Sequence, residues 1–272
     1  MKIDYCIHTH TARCGHAQGS DEEYVLSALD NGIKVLGFSD HAFFPNLSQP
    51  GIRGEYSLLP NYVNSINQLR EKYKNKIKIY LGFECEYLDE YDSYYKELKN
   101  NGFDYLILGQ HLFLEDGKLI FANSEPKVLH REKYLVQVEK ALKTGLFLYI
   151  AHPDYILRGY KRWCKSAKEL SYKICELAKK YDTPLEINLG GIIWGKKSRL
   201  QYPVSYFWDI AAEVGNKVVI GYDAHNPFYF SDTKHINQAI RFAKKHNVKL
   251  LNKNQIEKLL LKWSWTVFSN IN

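Results

Sequence analysis

The 272-residue sequence has no apolar run approaching the about 20 residues that a membrane-spanning helix needs, so no membrane partner is expected. Cysteine is sparse. Cys6, Cys14, Cys85, Cys164 and Cys175 are odd in number, widely scattered and form no CxxC pair. That excludes a disulfide framework and a thioredoxin-like redox motif, and it fits free thiols in a reduced, cytoplasmic setting. The opening residues, MKIDYCIHTH, reach a polar His pair before any apolar segment forms, so no secretory signal peptide is expected. No GxGxxG follows the first apolar segment, and no GxxxxGK followed by Ser or Thr occurs, which removes two common phosphate cradles. Repeats and Gly/Ser- or Pro-rich linkers are missing too, so a single domain over residues 1–272 is expected.

What is present is the balance of a folded globular chain, with 45% hydrophobic and 25% charged residues. The net charge of +7 comes from lysines spread along the chain, many in helix-like stretches. That pattern reads as a solvated face, so no nucleic-acid partner is expected. Short apolar segments alternate with helical ones. Strands are predicted at 3–7, 34–38, 76–83, 105–108, 146–150, 184–187 and 217–220. Helices are predicted at 21–31, 58–73, 91–100, 127–144, 166–180, 205–213, 233–245 and 255–261, with Ser20 as an N-cap and Gly32, Gly102, Gly145 and Gly215 as stops. Seven strands, each followed by helix or loop and helix, imply a parallel α/β sheet. The stretches 42–57 and 111–126 read as long loops of the kind that build lids or walls.

The ten histidines decide the architecture. Seven fall directly after predicted strands: His8, His10 and His16 after the first, His41 after the second, His111 after the fourth, His152 after the fifth and His225 after the seventh. Glu84 closes the third strand, Glu186 lies at the end of the sixth, and Asp223 precedes His225 by two residues. In a β/α barrel those ends converge on one face, where active sites are built. On extended backbone, residues two apart share a side, so His8 pairs with His10, Asp223 with His225, and Glu84 with Glu86. Imidazoles and carboxylates are ligands for Zn, Fe or Mn. The nine candidates, His8, His10, His16, His41, Glu84, His111, His152, Asp223 and His225, exceed what one ion needs. Two or three divalent ions with a bridging carboxylate are expected, an arrangement suited to phosphoester hydrolysis. His130, His235 and His246 lie in helical stretches and are read as surface or helix-end residues. Cys6, Cys85 and Cys175 read as core, and Cys14 is assigned no ligand role.

A phosphate ester calls for guanidinium groups beside the ions. Arg158, Arg199 and Arg13 all fall on loops of the functional face and are the candidates for substrate binding. Phe43, Phe44, Tyr160 and Trp194 are loop-borne aromatics that would wall a ring-bearing substrate or pack the loops.

The ordered set HTH, His16, SDH (39–41), GFE (82–84), GQH (109–111), AHPD (151–154), EIN (186–188) and DAH (223–225) resembles the PHP superfamily, from His8 to about His225. HAQGSDEEYVLSALDNGIKVLGFSDHAFFP, from His16 to Pro45, is most similar to the monofunctional histidinol-phosphatase branch of it. The resemblance implies a distorted seven-stranded, TIM-like β/α barrel and a trinuclear site. His8, His10, Glu84 and Asp223 would hold the first metal; a bridging Glu84 with His111 and His152 the second; His16, His41 and His225 the third. The implied reaction is hydrolysis of the phosphomonoester L-histidinol phosphate in histidine biosynthesis. Tyr222 departs from the small residue common at that place, and alternation points it away from Asp223's side. In the expected mechanism a metal-bound hydroxide attacks phosphorus in line, and Asp223, Asp40 or a bound water protonates the leaving oxygen. The alternatives within the superfamily are a nucleotide or nucleic-acid phosphoesterase and a phosphotyrosine phosphatase.

Overall fold

The computed structural model describes residues 3–115, 118–124, 128–194 and 200–265. Among the described residues ten strands run in chain order: β1 (Tyr5–Cys6), β2 (Val35–His41), β3 (Lys78–Cys85), β4 (Tyr105–Leu108), β5 (Leu112–Glu115), β6 (Lys118–Phe121), β7 (Phe147–Ile150), β8 (Leu185–Asn188), β9 (Lys217–Gly221) and β10 (Lys249–Leu250). The helices are α1 (Asp21–Asp30), α2 (Leu59–Tyr73), α3 (Asp92–Asn100), α4 (Val128–Thr144), α5 (Lys165–Lys180), α6 (Leu189–Trp194), α7 (Ser205–Val214), α8 (Thr233–Lys245) and α9 (Lys253–Trp265).

Eight strands form one parallel sheet in the order β1-β2-β3-β4-β7-β8-β9-β10. Beyond its strand end, Thr9 bridges in parallel to Ala224, which brings the continuation of β1 against the end of β9. The sheet is thereby curled into a distorted barrel, as the alternating pattern implies. All seven residues of β2 are buried, as expected where both faces of a parallel strand are covered. The interior is tied across: Tyr105 donates to the carbonyls of Ile7 at 3.1 Å and Phe38 at 3.0 Å, and Tyr149 donates to Ile7 at 3.2 Å.

Local sequence chemistry accounts for the helices. Ser20 and Glu23 form a reciprocal capping box at the start of α1, and Asp21, Glu22 and Glu23 complement the helix dipole there. α5 buries Ala167, Leu170, Ile174, Cys175 and Ala178, a stripe at helical spacing. The seven-strand reading differs from the structure in two places. β10 has two residues, too few to leave a periodic pattern, and it extends the sheet beyond β9. The stretch 111–126, read as loop, contains the antiparallel β5–β6 hairpin. No helix among the described residues is long and apolar enough to cross a membrane.

Candidate metal centre

The strand ends converge as their spacing requires. β2 and β3 are in register with His41 opposite Glu84, so these two side chains start side by side. Gly109, just past β4, lies against Glu84: a Cβ there would stand 2.2 Å from Oε1. Two of the predicted ligands, His152 (φ 29°) and Asp223 (φ 50°), adopt left-handed backbone, a strain that functional sites tend to hold.

All nine predicted ligands come together. Glu84 is the hub. Its Oε1 lies 2.7 Å from His152 Nε2, 3.5 Å from His111 Nε2 and 3.6 Å from His8 Nε2. Its Oε2 lies 3.0 Å from His41 Nδ1 and 3.6 Å from His10 Nε2. Asp223 Oδ1 is the second hub, 3.1 Å from His10 Nε2, 3.5 Å from His8 Nε2 and 3.4 Å from His225 Nδ1. His16 joins through its ring, stacked on His225 at 4.6 Å, and His225 in turn stacks on His10 at 4.0 Å.

These donors fit divalent cations. His8 Nε2, His225 Nε2 and both ring nitrogens of His10 are buried without a hydrogen-bond partner. Each such atom left bare costs about 1–3 kcal/mol, and a cation would satisfy it. Triads such as His8–His10–Glu84, His8–His152–Asp223 and His10–His41–His225 each offer donor atoms within 4.8 Å of one another. Burial alone would raise the Glu84 carboxyl, but His111, His8 and His41 outweigh it and hold it well below the usual range. Burial likewise opposes ionisation of Asp223, and His8, His10 and His225 hold it ionised.

Behind the candidate ligands stands a layer of acceptors that fixes ring orientation. Glu186 bonds His8 Nδ1 at 2.7 Å and also accepts from His152 N, Asn188 Nδ2 and Tyr149 Oη. Glu86 Oε1 bonds His111 Nδ1 at 2.9 Å, while its Oε2 accepts from Arg53 at 3.0 Å. Burial would raise Glu86, but Arg53 and His111 bring it down to about 2. Asp40, a candidate proton donor by sequence, is fully enclosed. It accepts from Thr11 Oγ1 and His41 N and lies 3.5 Å from His10 Nδ1. The sequence reading missed Arg53 and Thr11. For Glu86 the signal was present in its period-2 spacing from Glu84.

The three arginines part company. The Arg158 guanidinium lies over the Tyr155 ring, 5.3 Å from its centroid, and Tyr155 packs on His111 at 5.3 Å and His152 at 5.6 Å. Arg13 instead bonds Asp21 and Asn61, both at 2.9 Å, on the α1–α2 side. It is occupied there because Asp21 opens α1 beside it. Arg199 lies outside the described residues. Phe43, Phe44 and Tyr160 are buried in packing, whereas Trp194 is exposed. Tyr222 turns into the core against Phe230. His246 bonds Asp209 and His235 bonds Asp232, away from the cluster, and Cys6, Cys14, Cys85 and Cys175 are buried free thiols.

Comparison with known proteins gives the same direction. Residues 7–189 match the PHP domain family. The probable histidinol-phosphatase of Deinococcus radiodurans is 29% identical over 238 residues, which cover 83% of this chain and 89% of that protein. The histidinol-phosphatase of Lactococcus lactis is 25% identical over 200 residues, covering 69% of this chain and 71% of that protein. Among solved structures, the fold is shared with histidinol phosphate phosphatase from Lactococcus lactis, complexed with zinc, L-histidinol and phosphate. The TM-score is 0.68 and the identity 21%, over 92% of this chain and 96% of that one. A histidinol phosphatase structure from Listeria monocytogenes has a TM-score of 0.66 at 21% identity, over 83% of this chain and 96% of that one.

Proposed function

The chain belongs to the PHP domain family, and from that premise we propose that it hydrolyses L-histidinol phosphate to L-histidinol and phosphate with divalent metal ions. The observation that carries this is the Glu84 hub, with five histidine nitrogens within 3.6 Å of one buried carboxylate. The names of the relatives, histidinol-phosphatases over most of both chains, support the substrate.

His8, His10, Glu84 and Asp223 would hold one ion. Glu84, His111 and His152 would hold a second, with Glu84 shared, and His16, His41 and His225 a third. Zn, Fe and Mn all suit this donor set. Ions held there would neutralise the phosphoryl oxygens and make water a nucleophile at neutral pH.

The chain's own residues do the rest. Arg158, on the flank of His111 and His152, would take a phosphoryl oxygen; its position over Tyr155 supports this. Glu186, Glu86 and Asp40 keep the ligand rings turned inward. The leaving oxygen needs a proton. Asp223 is the carboxylate to carry it, since its side chain is 13% exposed while Glu84 and Asp40 are closed to solvent at 1% and 0%. The proton given up by the attacking water passes through Asp223 to the departing alkoxide, leaving histidinol and phosphate in balance.

The test is a panel assay on purified, metal-analysed protein: histidinol phosphate, simple phosphomonoesters, a phosphotyrosine peptide and single-stranded DNA. Histidinol phosphate should show the highest kcat/KM. Preference for the peptide or the DNA would overturn the substrate assignment. Glu84→Ala should lose metal and about 10³-fold in kcat/KM while keeping its circular dichroism spectrum.

A further inference from the structure

Of the four aromatics singled out in the sequence, Trp194 is the one that is exposed among the described residues. α6 starts directly where β8 ends, and it lies hard against the cluster. A Cβ on Gly190 would stand 2.7 Å from Asp223 Oδ2, and one on Gly191 would meet the Tyr202 ring at 2.4 Å. The helix is thus seated by contacts that only glycine permits. Its last residue is Trp194, 57% exposed. The indole is nonetheless fixed. Its Nε1–H donates to Tyr229 Oη at 2.8 Å, and Tyr229 sits on the short turn Pro227–Ser231 that follows His225. The ring centroid lies 5.8 Å from that of His225, tilted by 46°. A large apolar face held in solvent beside a metal-ligand candidate is surface shaped for something else to cover.

The two flanks of the cluster therefore differ in chemistry. Arg158, Tyr155 and Tyr202 border His111 and His152. Trp194 borders His225, which packs on His10 and His16. A phosphomonoester whose phosphoryl group is drawn to the arginine flank and the hubs sends its alcohol part the other way. We propose that Trp194 is the stacking platform for a flat ring on that alcohol, and that it selects heteroaromatic phosphomonoesters over ringless ones. The proposal deepens the function given above and rests on it for the particular ring, an imidazole. A protonated imidazole would gain a cation–π attraction as well.

The test uses the metal-loaded enzyme with three variants, Trp194→Ala, Trp194→Phe and Tyr229→Phe, and two substrates, histidinol phosphate and glycerol phosphate. Loss of one stacking partner corresponds to about a ten-fold change. Trp194→Ala should raise KM for histidinol phosphate about ten-fold with kcat nearly unchanged, and leave kcat/KM for glycerol phosphate within about two-fold. Trp194→Phe should retain most of the affinity. Tyr229→Phe, which only frees the indole, should fall between. Direct titration of L-histidinol should weaken in step. An equal loss on both substrates, a fall in kcat with KM constant, or unchanged L-histidinol binding would overturn the platform. If the wild type ignores histidinol phosphate, the function given above fails. The platform then stands only if other ring-bearing esters beat ringless ones and Trp194→Ala erases the difference.

Discussion

Glu86 Oε1 is joined to His111 Nδ1 at 2.9 Å, and the same carboxylate is held from behind by Arg53, which is 2% exposed. Arg53 also donates to Gln49 Oε1 at 2.6 Å and to the carbonyl of Ala42 at 2.9 Å, and lies over Phe44. The long segment after His41 thus acts as a strap: it carries a buried cation inward to fix the carboxylate that turns the His111 ring. Removing one partner from a buried pair strands the other, at about 3–5 kcal/mol. Arg53→Met should lose about that much in urea unfolding. It should also weaken metal binding about 10–100-fold, the usual effect of an outer partner. Pairing it with Glu86→Leu should recover part of the stability and none of the affinity. Unaltered zinc affinity in Arg53→Met would refute the strap.

Gly109 separates activity from stability. Its Cα faces Glu84 so closely that an added Cβ would stand 2.2 Å from Oε1 and 2.6 Å from Cγ. The carboxylate must move, and with it the hub of five histidines. Gly109→Ala should lower kcat/KM by about 10²-fold or more, with metal content reduced. The misplaced group here is a short side chain beside a loop, so unfolding should shift by no more than about 1–3 kcal/mol. A fully active Gly109→Ala enzyme would mean that Glu84 is not held where the structure puts it.

A metal bound at this cluster would compete with protons for the same nitrogens. Burial pulls His10 down, but the Asp223 and Asp40 carboxylates beside it outweigh burial and push it from 6.5 up to about 9. A raised pKa stabilises the fold fully below about 6.5 and is lost as pH rises through about 9. Metal requires the neutral ring, so its affinity gains over that same window. The gap in Tm between zinc-loaded and chelator-treated protein should therefore widen from pH 6.5 to pH 9. Calorimetric titration in buffers of different ionisation enthalpy should show proton release on zinc binding. A gap that narrows with rising pH would contradict the sign.

The parts of this site that were legible from sequence share one cause. On extended backbone the side-chain period is two, so the spacing of His8 with His10, Asp223 with His225 and Glu84 with Glu86 is enough to announce a shared face. Parallel strands then bring their ends to one side, which is why the nine scattered residues meet. Arg53 was illegible because the segment around it has no period from which burial can be inferred. Asp40 looked like a proton donor because sequence does not reveal that its oxygens point at Thr11 and the His41 amide. Arg13 lies between two predicted ligands in the chain, yet chain proximity says nothing about Asp21, which takes its guanidinium.

Of the three candidate arginines, the two among the described residues make the sharpest contrast. Arg158 lies over Tyr155, one ring away from His111 and His152, and it is only partly buried, so an anion can reach it. A charged hydrogen bond contributes about 1.5–3 kcal/mol, or about 10–100-fold in rate or affinity. Arg158→Ala should lower kcat/KM by that factor and weaken inhibition by inorganic phosphate in parallel. Arg158→Lys should restore little, because a point charge does not reproduce the planar fork. Arg13 is paired with Asp21, with side chains 15% and 9% exposed, and bonds Asn61. Arg13→Ala should cost about 1–3 kcal/mol of stability through the partners it abandons, with kcat/KM within about two-fold of the parent. If the two variants exchanged these phenotypes, the phosphoryl group would have to lie on the His16 side of the cluster.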